Sequence, residues 1–278
     1  MSKTKVRSDF VDETPLEGPP GTTLKDFQTL KLRRFPGRAE DIKWLGLLGQ
    51  GNEWFVSKAS IDGYSPVAIK VFWITSQRRP HIVPRGRSLP GFVTVITEFP
   101  FKTESRTVDL IQKIESAMSE VQQNPQQTIA IMRGPKTREM VKKNLMAFSK
   151  EARDSSQVPA SELEGPPPPV PPFPRCHGWL RIDNSLLPFK HLLRQKPDKV
   201  GWSWAIVYEY VPSAVPDIVL AQKFFDFSYD IGLVMTFKAD NWHGGRLVDM
   251  NDIKMPTTSS WQEDYFTHFI AANLDWET

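Results

Sequence analysis

The sequence predicts an α+β fold, with an antiparallel sheet early in the chain and helices later. Residues 42–72 alternate apolar and polar side chains in three short runs separated by glycine-containing turns, which is typical of antiparallel strands. Residues 104–123 instead place apolar residues three and four positions apart, which indicates an amphipathic helix. Forty per cent of the 278 residues are hydrophobic, enough for a substantial core.

The bulk composition excludes several classes of protein. The formal charge of +3 is too small to require a polyanionic partner across the whole surface. A single cysteine, Cys176, excludes an intramolecular disulfide framework and fits a reducing compartment. No run approaches the roughly 20 apolar residues that span a bilayer. We expect an intracellular protein with no membrane partner.

Taken in order, the chain begins with a tail and the sheet. Residues 1–25 are polar and contain Pro-Gly pairs, so they are expected to be disordered. The three strands of residues 42–72 follow, with a tight turn expected at Asp62-Gly63.

The middle of the chain alternates loops and helices. Residues 75–103 contain Arg-Pro clusters and are expected to be a loop. After the helix of 104–123, a second helix is expected over 137–153. Residues 155–174 include GPPPPVPPFP, which favours a stiff polyproline II linker. A ligand for an SH3 or WW domain is the alternative for this segment.

The last third adds two strands and a helix. Residues 176–182 and 202–211 are predicted strands, and 218–233 is a predicted helix. A short buried strand is expected at 246–250, and a last apolar-periodic stretch covers 265–274.

A glycine-rich turn and a strand lysine carry the first sign of chemistry. Gly49 and Gly51 flank a turn that leads to Val56, and Lys70 follows fourteen positions later within Val-Ala-Ile-Lys. This combination opens the protein-kinase signature. The glycines let the backbone approach phosphates, and the lysine meets the α/β-phosphate charge. The fold class is therefore predicted to be protein-kinase-like, with an antiparallel-sheet N-terminal lobe and a reduced helical C-terminal lobe.

Further residues are candidates for the same site. Glu151 is the predicted carboxylate that holds Lys70, and Glu209 and Tyr210 resemble the hinge that offers backbone groups to an adenine. Asn241 and Asp249 are oxygen ligands suited to Mg²⁺. ATP and Mg²⁺ are thus the candidate cofactors.

The catalytic base of a kinase is missing from this alignment of motifs. With Asn241 on the catalytic-loop asparagine, Thr236 stands where the catalytic aspartate belongs. Removing a positioned general base typically costs about 10²–10⁴ in rate. Asp230 and Asp240 are the nearby substitutes. Only 29 residues follow Asp249, too few for an activation segment and the helices that dock a peptide.

The predicted domain covers residues 26–278 after the tail at 1–25. Its N-terminal lobe spans about 40–211 and its minimal C-terminal lobe spans about 212–278. An insertion at 75–145 and the linker at 155–174 interrupt the first lobe.

Seven segments between about residues 42 and 256 carry a family resemblance: IKWLGLLGQG, VAIKVF, FSKEAR, PRCHGWL, IVYEYVPS, FFDFSYDIGL and DNWHGGRLVDMNDIKMP. Together they resemble the fungal kinetochore subunit family of the FTA type, a kinase-like component of the Sim/Mal-type inner kinetochore complex. The resemblance implies a kinase-like structural subunit at centromeric chromatin, and hence a nuclear protein with protein partners.

These features lead to two function hypotheses. The first is a catalytically inactive, pseudokinase-like scaffold, which is favoured because the catalytic base and the peptide-docking helices are missing. Trp54 also stands at the third glycine position, where its ring would fill the adenine or phosphate space. The second is an atypical phosphotransferase or nucleotide-binding module that uses Lys70, Glu151, Asn241 and Asp249.

Two other features have weaker functional interpretations. Residues 133–150 carry six basic side chains against Glu139, which fits either a solvated face or a weak contact with nucleic acid. Cys176-His177 is expected to be structural, and the histidines have no zinc-ligand spacing.

Overall fold

A computed structural model describes residues 9–73, 81–84, 92–95, 99–154, 165–188, 201–258 and 261–276. These residues form a mixed α+β fold around a seven-stranded, mostly antiparallel sheet. The strands are β1 (Val11–Pro15), β2 (Leu32–Arg34), β3 (Lys43–Gln50), β4 (Trp54–Ile61), β5 (Tyr64–Phe72), β6 (His81–Pro84), β7 (Phe92–Val95), β8 (Cys176–Asp183), β9 (Trp202–Glu209), β10 (Trp242–His243) and β11 (Arg246–Leu247). The helices are α1 (Leu24–Gln28), α2 (Pro100–Gln123), α3 (Arg138–Met146), α4 (Lys150–Asp154) and α5 (Ile218–Ile231). None of the described helices has the length and hydropathy needed to cross a membrane.

The sheet has the strand order β1-β2-β8-β9-β5-β4-β3. Strands β3, β4 and β5 pair antiparallel, which confirms the prediction for residues 42–72. Ile61 lies opposite Tyr64 across the predicted turn, and Gly63 adopts a φ of 79° there, a conformation that favours glycine. The predicted strands at 176–182 and 202–211 are also present, and β9 lies between β8 and β5.

Helix α2 packs against the sheet through an aromatic cluster. Phe101 of α2 stacks on Trp204 of β9, with ring centroids 4.7 Å apart. Phe10 packs edge-on against both rings, at 5.7 and 5.8 Å. Such pairs contribute about 0.5–1.5 kcal/mol each beyond the area they bury. They fix α2 over the middle of the sheet.

The N-terminal segment differs from the disordered tail expected for residues 1–25. Its described part, from Asp9 onward, contains β1, which pairs in parallel with β2, and β2 pairs with β8. Phe10 and Val11 are buried and anchor this part of the segment. Apolar residues therefore order a segment whose composition is polar.

The middle of the chain also departs from the prediction. Part of the expected loop at 75–103 is the antiparallel hairpin β6–β7, and α2 already begins at Pro100. Proline is tolerated at this first helical position, because the missing N–H has no intrahelical acceptor there. The helix expected over 137–153 is divided into α3 and α4, with the Ser149 hydroxyl accepting the Ala152 N–H at 3.3 Å at the restart. Residues 155–164 of the expected linker lie outside the described residues.

The C-terminal elements follow the predictions in outline. Helix α5 confirms the predicted helix at 218–233. The Asp217 carboxylate caps its first turn, and Gly232 ends it with a φ of 78°. The strand expected at 246–250 is only the two residues of β11, which pair with β10. The stretch at 265–274 contains short 3₁₀ turns.

Replacing Gly178 by alanine should destabilise the fold by about 3 kcal/mol. Gly178 has a φ of 115°, and an added Cβ would lie 2.6 Å from the backbone nitrogen of Phe35. Gly46→Ala is the matched control, because its Cβ would meet no atom within 4 Å. Urea unfolding of both variants measures the difference, and equal stabilities would contradict the close approach of β2 and β8.

Candidate functional site

A buried lysine lies at the centre of the site. Lys70 of β5 is 2% exposed, and its ammonium group donates to Glu104 Oε2 and to Asp249 Oδ1, both at 2.6 Å. Glu104 belongs to α2, and Asp249 follows the β10–β11 hairpin. The ion pairs therefore join three separate parts of the chain.

The predicted partner of Lys70 was Glu151, and this prediction is wrong. The Glu151 carboxylate accepts the backbone N–H of Leu24 at 2.7 Å, at the first turn of α1. Glu104 takes the position instead. Residues 75–145, which were predicted to be an insertion, therefore contribute to the site, because α2 lies within them and supplies the Glu104 carboxylate that pairs with Lys70.

The sequence contained a signal for Glu104. Glu104, Val108 and Ile111 lie four and three positions apart, on one face of α2, and all three are buried. A glutamate on the buried face of an amphipathic helix needs a buried cation to stay ionised, or it takes up a proton.

The N-terminal segment holds α2 in place. Asp109 accepts the backbone N–H of Lys31 at 2.8 Å, and the Lys113 ammonium donates to the carbonyl of Asp26 at 2.9 Å. Near the C-terminal end of α2, the Thr22 hydroxyl donates to Glu120 at 3.0 Å. These contacts restrain the helix that carries Glu104.

The cluster holds one ammonium group between two carboxylates. Burial alone would lower the pKa of Lys70, but Asp249 and Glu104 outweigh it and the pKa is raised. Burial also opposes ionisation of Asp249, but Lys70 holds its pKa below the usual value. Burial raises the pKa of Glu104 to about 7, against the opposing effect of Lys70 and of the Tyr208 hydroxyl, which donates to Glu104 Oε1 at 2.8 Å. Of the two carboxyl groups in the cluster, Glu104 is therefore the one that is protonated first as the pH falls.

Stability should fall as the pH rises from about 5 to about 8, by on the order of 2 kcal/mol. The pKa of Glu104 rises on folding from 4.5 to about 7. A carboxyl group with a raised pKa stabilises the fold fully below its unfolded pKa, and this contribution is lost as pH rises through the folded pKa. Melting curves of the wild type and Glu104→Gln across this range measure it. The variant should lose most of the slope, and an unchanged slope would contradict the assignment.

A cleft of about 170 Å³ lies beside this cluster. Seven of the nine predicted site residues line it, namely Gly49, Val56, Lys70, Glu209, Tyr210, Asn241 and Asp249. Gly51 is not in its wall, and its N–H donates to the carbonyl of Trp54 at 2.8 Å. Glu151 is the other exception.

Trp54 lines the cleft directly above Lys70. The Lys70 ammonium lies 4.5 Å from the centre of the indole ring, within the range of a cation–π interaction. Binding sites for small molecules usually have volumes of about 300–1,000 Å³, so the cleft is small for a nucleotide. Lys70 thus has two carboxylates and an aromatic ring around its charge.

The candidate metal ligands Asp249 and Asn241 already have hydrogen-bond partners within the protein. Asp249 Oδ1 accepts from Lys70 and from the backbone N–H of Asn251 at 3.0 Å. The Asn241 amide lies 3.4 Å from Asp252 Oδ2. Among the described residues, no group of three or more His, Cys, Asp or Glu side chains could hold a metal ion. A Mg²⁺ ion here would need phosphate and water oxygens for most of its ligands.

Asp230 and Asp240, the two aspartates considered as substitutes for a catalytic base, lie in different surroundings. Asp230 is buried and pairs with Arg133, and its carboxylate also accepts the N–H of Gly134 at 3.3 Å, so it is engaged away from the cleft. Asp240 lines the cleft. Thr236, which was predicted to stand at the position of the base, is exposed.

Neither the known protein-family models nor the curated protein sequences match this chain.

Proposed function

We propose that the chain is a catalytically inactive, protein-kinase-like protein that serves as an interaction subunit of a protein assembly. The observation that carries the proposal is the closed state of the cleft. Lys70 is neutralised by Glu104 and Asp249 and covered by Trp54. The Lys70 ammonium group and the Asp249 carboxylate, which would contact phosphate and metal in a kinase, are hydrogen-bonded to each other.

The order of elements supports the kinase-like interpretation. A glycine-rich turn joins β3 to β4, Lys70 lies on the next strand, and α2 supplies its carboxylate before the strands β8 and β9 return to the sheet. The segment after β9 lines the cleft through Tyr210 and Val211, as a hinge would. Glycine-rich loop, strand lysine and helix glutamate are recurring parts of kinase sites.

An interaction role is supported by the surface and by the family resemblance. Leu45 and Leu48 on the edge strand β3 are 56% and 48% exposed, and Val215 and Val219 are 87% and 68% exposed. Exposed apolar patches mark contact surfaces in many proteins. The resemblance to the kinetochore family favours a centromeric assembly in the nucleus.

The basic segment 133–150 offers a secondary contact. Arg133 pairs with Asp230, and Arg138 donates to the carbonyl of Pro256 at 2.8 Å, so these two guanidinium groups serve the fold. The exposed basic side chains are Lys136, Lys142, Lys143 and Lys150. They are the residues through which a weak nucleic-acid contact would act.

A nucleotide-binding module or atypical phosphotransferase is the second candidate. It is favoured by the assembled Lys70–Glu104 pair and by Asp240, which lines the cleft beside Asn241 and Asp249. In this function Asp249 would exchange the Lys70 ammonium for Mg²⁺, and Trp54 would have to move aside.

Asp249→Asn separates the two functions. The variant keeps one ammonium and one carboxylate, so it should fold, but it removes the charged candidate metal ligand. If the chain is an interaction subunit, the tagged variant purified from its native cells should recover the same stoichiometric partners as the wild type. Neither protein should then turn over ATP. ATP turnover by the wild type that is lost in Asp249→Asn would overturn the proposal.

A further inference from the structure

A second cavity is larger than the cleft and has no part in the proposed function. It encloses about 520 Å³, compared with 170 Å³ for the cleft, and this volume lies within the usual range for small-molecule sites, about 300–1,000 Å³. Helix α2, residues 16–20 of the N-terminal segment and residues 173–177, which lead into β8, contribute to its walls. The two cavities share Pro174, Tyr208 and Glu209.

One part of its wall is apolar. Val108 and Ile111 come from the inner face of α2, and Leu16, Phe173 and Met250 come from three other segments. Of these, Val108, Ile111, Phe173 and Met250 are at most 7% exposed. Because they are held by the core, they offer a preformed surface to an apolar or aromatic group.

The rest of the wall is polar and carries a small excess of positive charge. Three arginines, Arg33, Arg175 and Arg246, line the cavity with two glutamates, Glu115 and Glu209. Arg246 pairs with Glu209 at 2.8 Å, so these two charges offset each other. The remaining charges are two guanidinium groups and one carboxylate.

The two remaining arginines have no carboxylate partner within hydrogen-bonding distance in the described structure. Arg33 donates only to the backbone carbonyls of Glu17 and Gly18, at 3.1 and 2.7 Å. In the described part of the chain, the Arg175 guanidinium has no hydrogen-bond acceptor, although its backbone N–H donates to Glu209 at 3.2 Å. Burial and the charge of Arg175 lower the pKa of His177, which keeps this neighbouring ring neutral.

We propose that this cavity binds a small organic anion that carries one carboxylate, sulfonate or phosphate group on an apolar or aromatic body. Arg175 and Arg33 would hold the anionic group through charge-assisted hydrogen bonds, which are stronger than neutral ones. The apolar wall formed by α2, Phe173 and Met250 would pack against the body. A single charge is favoured because Glu115 repels a second anionic group.

Anilinonaphthalene sulfonate is a suitable probe, because it joins one sulfonate to an aromatic body. Titration of the folded full chain should give a saturable one-to-one fluorescence change. Arg175→Gln should weaken the affinity about tenfold, and Arg175→Glu should weaken it further. Arg175 is exposed, so both variants should melt like the wild type. Lys142→Glu, an exposed residue of α3 outside the cavity, is the charge-matched control and should bind the probe normally.

Three outcomes would overturn the proposal. These are probe binding without saturation, equal affinities of the wild type and Arg175→Glu, and displacement of the probe by Mg²⁺-ATP with no effect of the Arg175 variants. The last result would put the probe in the cleft. The proposed inactive function does not depend on any of these results, because it concerns Lys70 and Trp54.

Discussion

Replacing Lys70 by methionine should lower the free energy of unfolding by about 3–5 kcal/mol at about pH 8. The substitution keeps most of the side-chain volume but leaves the carboxylates of Glu104 and Asp249 without their cation. Glu104 is fully buried and Asp249 is 8% exposed, so water cannot replace the lost ammonium group. The loss should be smaller at about pH 5, because Glu104 is then protonated. Urea unfolding at both pH values measures it.

Two controls separate the charge effect from packing. The triple variant Lys70→Met, Glu104→Gln, Asp249→Asn replaces the whole cluster by neutral groups and should recover most of the lost stability. Lys58→Met changes a lysine on the adjacent strand, whose ammonium lies over the Tyr210 ring at 4.3 Å, and should cost about 1 kcal/mol or less. A loss for Lys70→Met as small as that for Lys58→Met would contradict the buried cluster.

Replacing Trp54 by alanine should give saturable Mg²⁺-ATP binding, with an affinity at least about tenfold above the detection limit that the wild type does not reach. The indole ring lies against Lys70 inside the cleft, so its removal enlarges the space beside the Lys70 ammonium group. Trp54→Phe keeps a flat ring on the same strand position and should behave like the wild type. Isothermal titration of the three proteins measures the affinities. If Trp54→Ala gave no more saturable heat than the wild type, the Trp54 ring would not be what closes the cleft.

Much of the sheet and the cleft could be predicted because the relevant signals are local. The turn between β3 and β4 and the hairpin to β5 lie within about thirty residues, so the spacing of Gly49, Val56 and Lys70 already determines that they line one surface. Asp249 and Asn241 were found through a short motif. Each of these assignments rests on residues that lie close together in the sequence.

The partner of Lys70 was missed because it depends on a contact between distant elements. Glu151 follows an apolar pair and precedes the strands, but its carboxylate accepts the backbone N–H at α1. Glu104 reaches Lys70 only because Phe101 stacks on Trp204 and the N-terminal segment holds α2. Residues 1–25 of that segment were predicted to be disordered, because their composition is polar and contains Pro-Gly pairs.

The most direct test of the closed cleft is isothermal titration of the unmodified chain with Mg²⁺-ATP. We expect no saturable heat, because Lys70 is held by two carboxylates and Trp54 occupies the space beside it. Saturable one-to-one binding that disappears in Asp249→Asn would contradict this account and establish the cleft as a working nucleotide site.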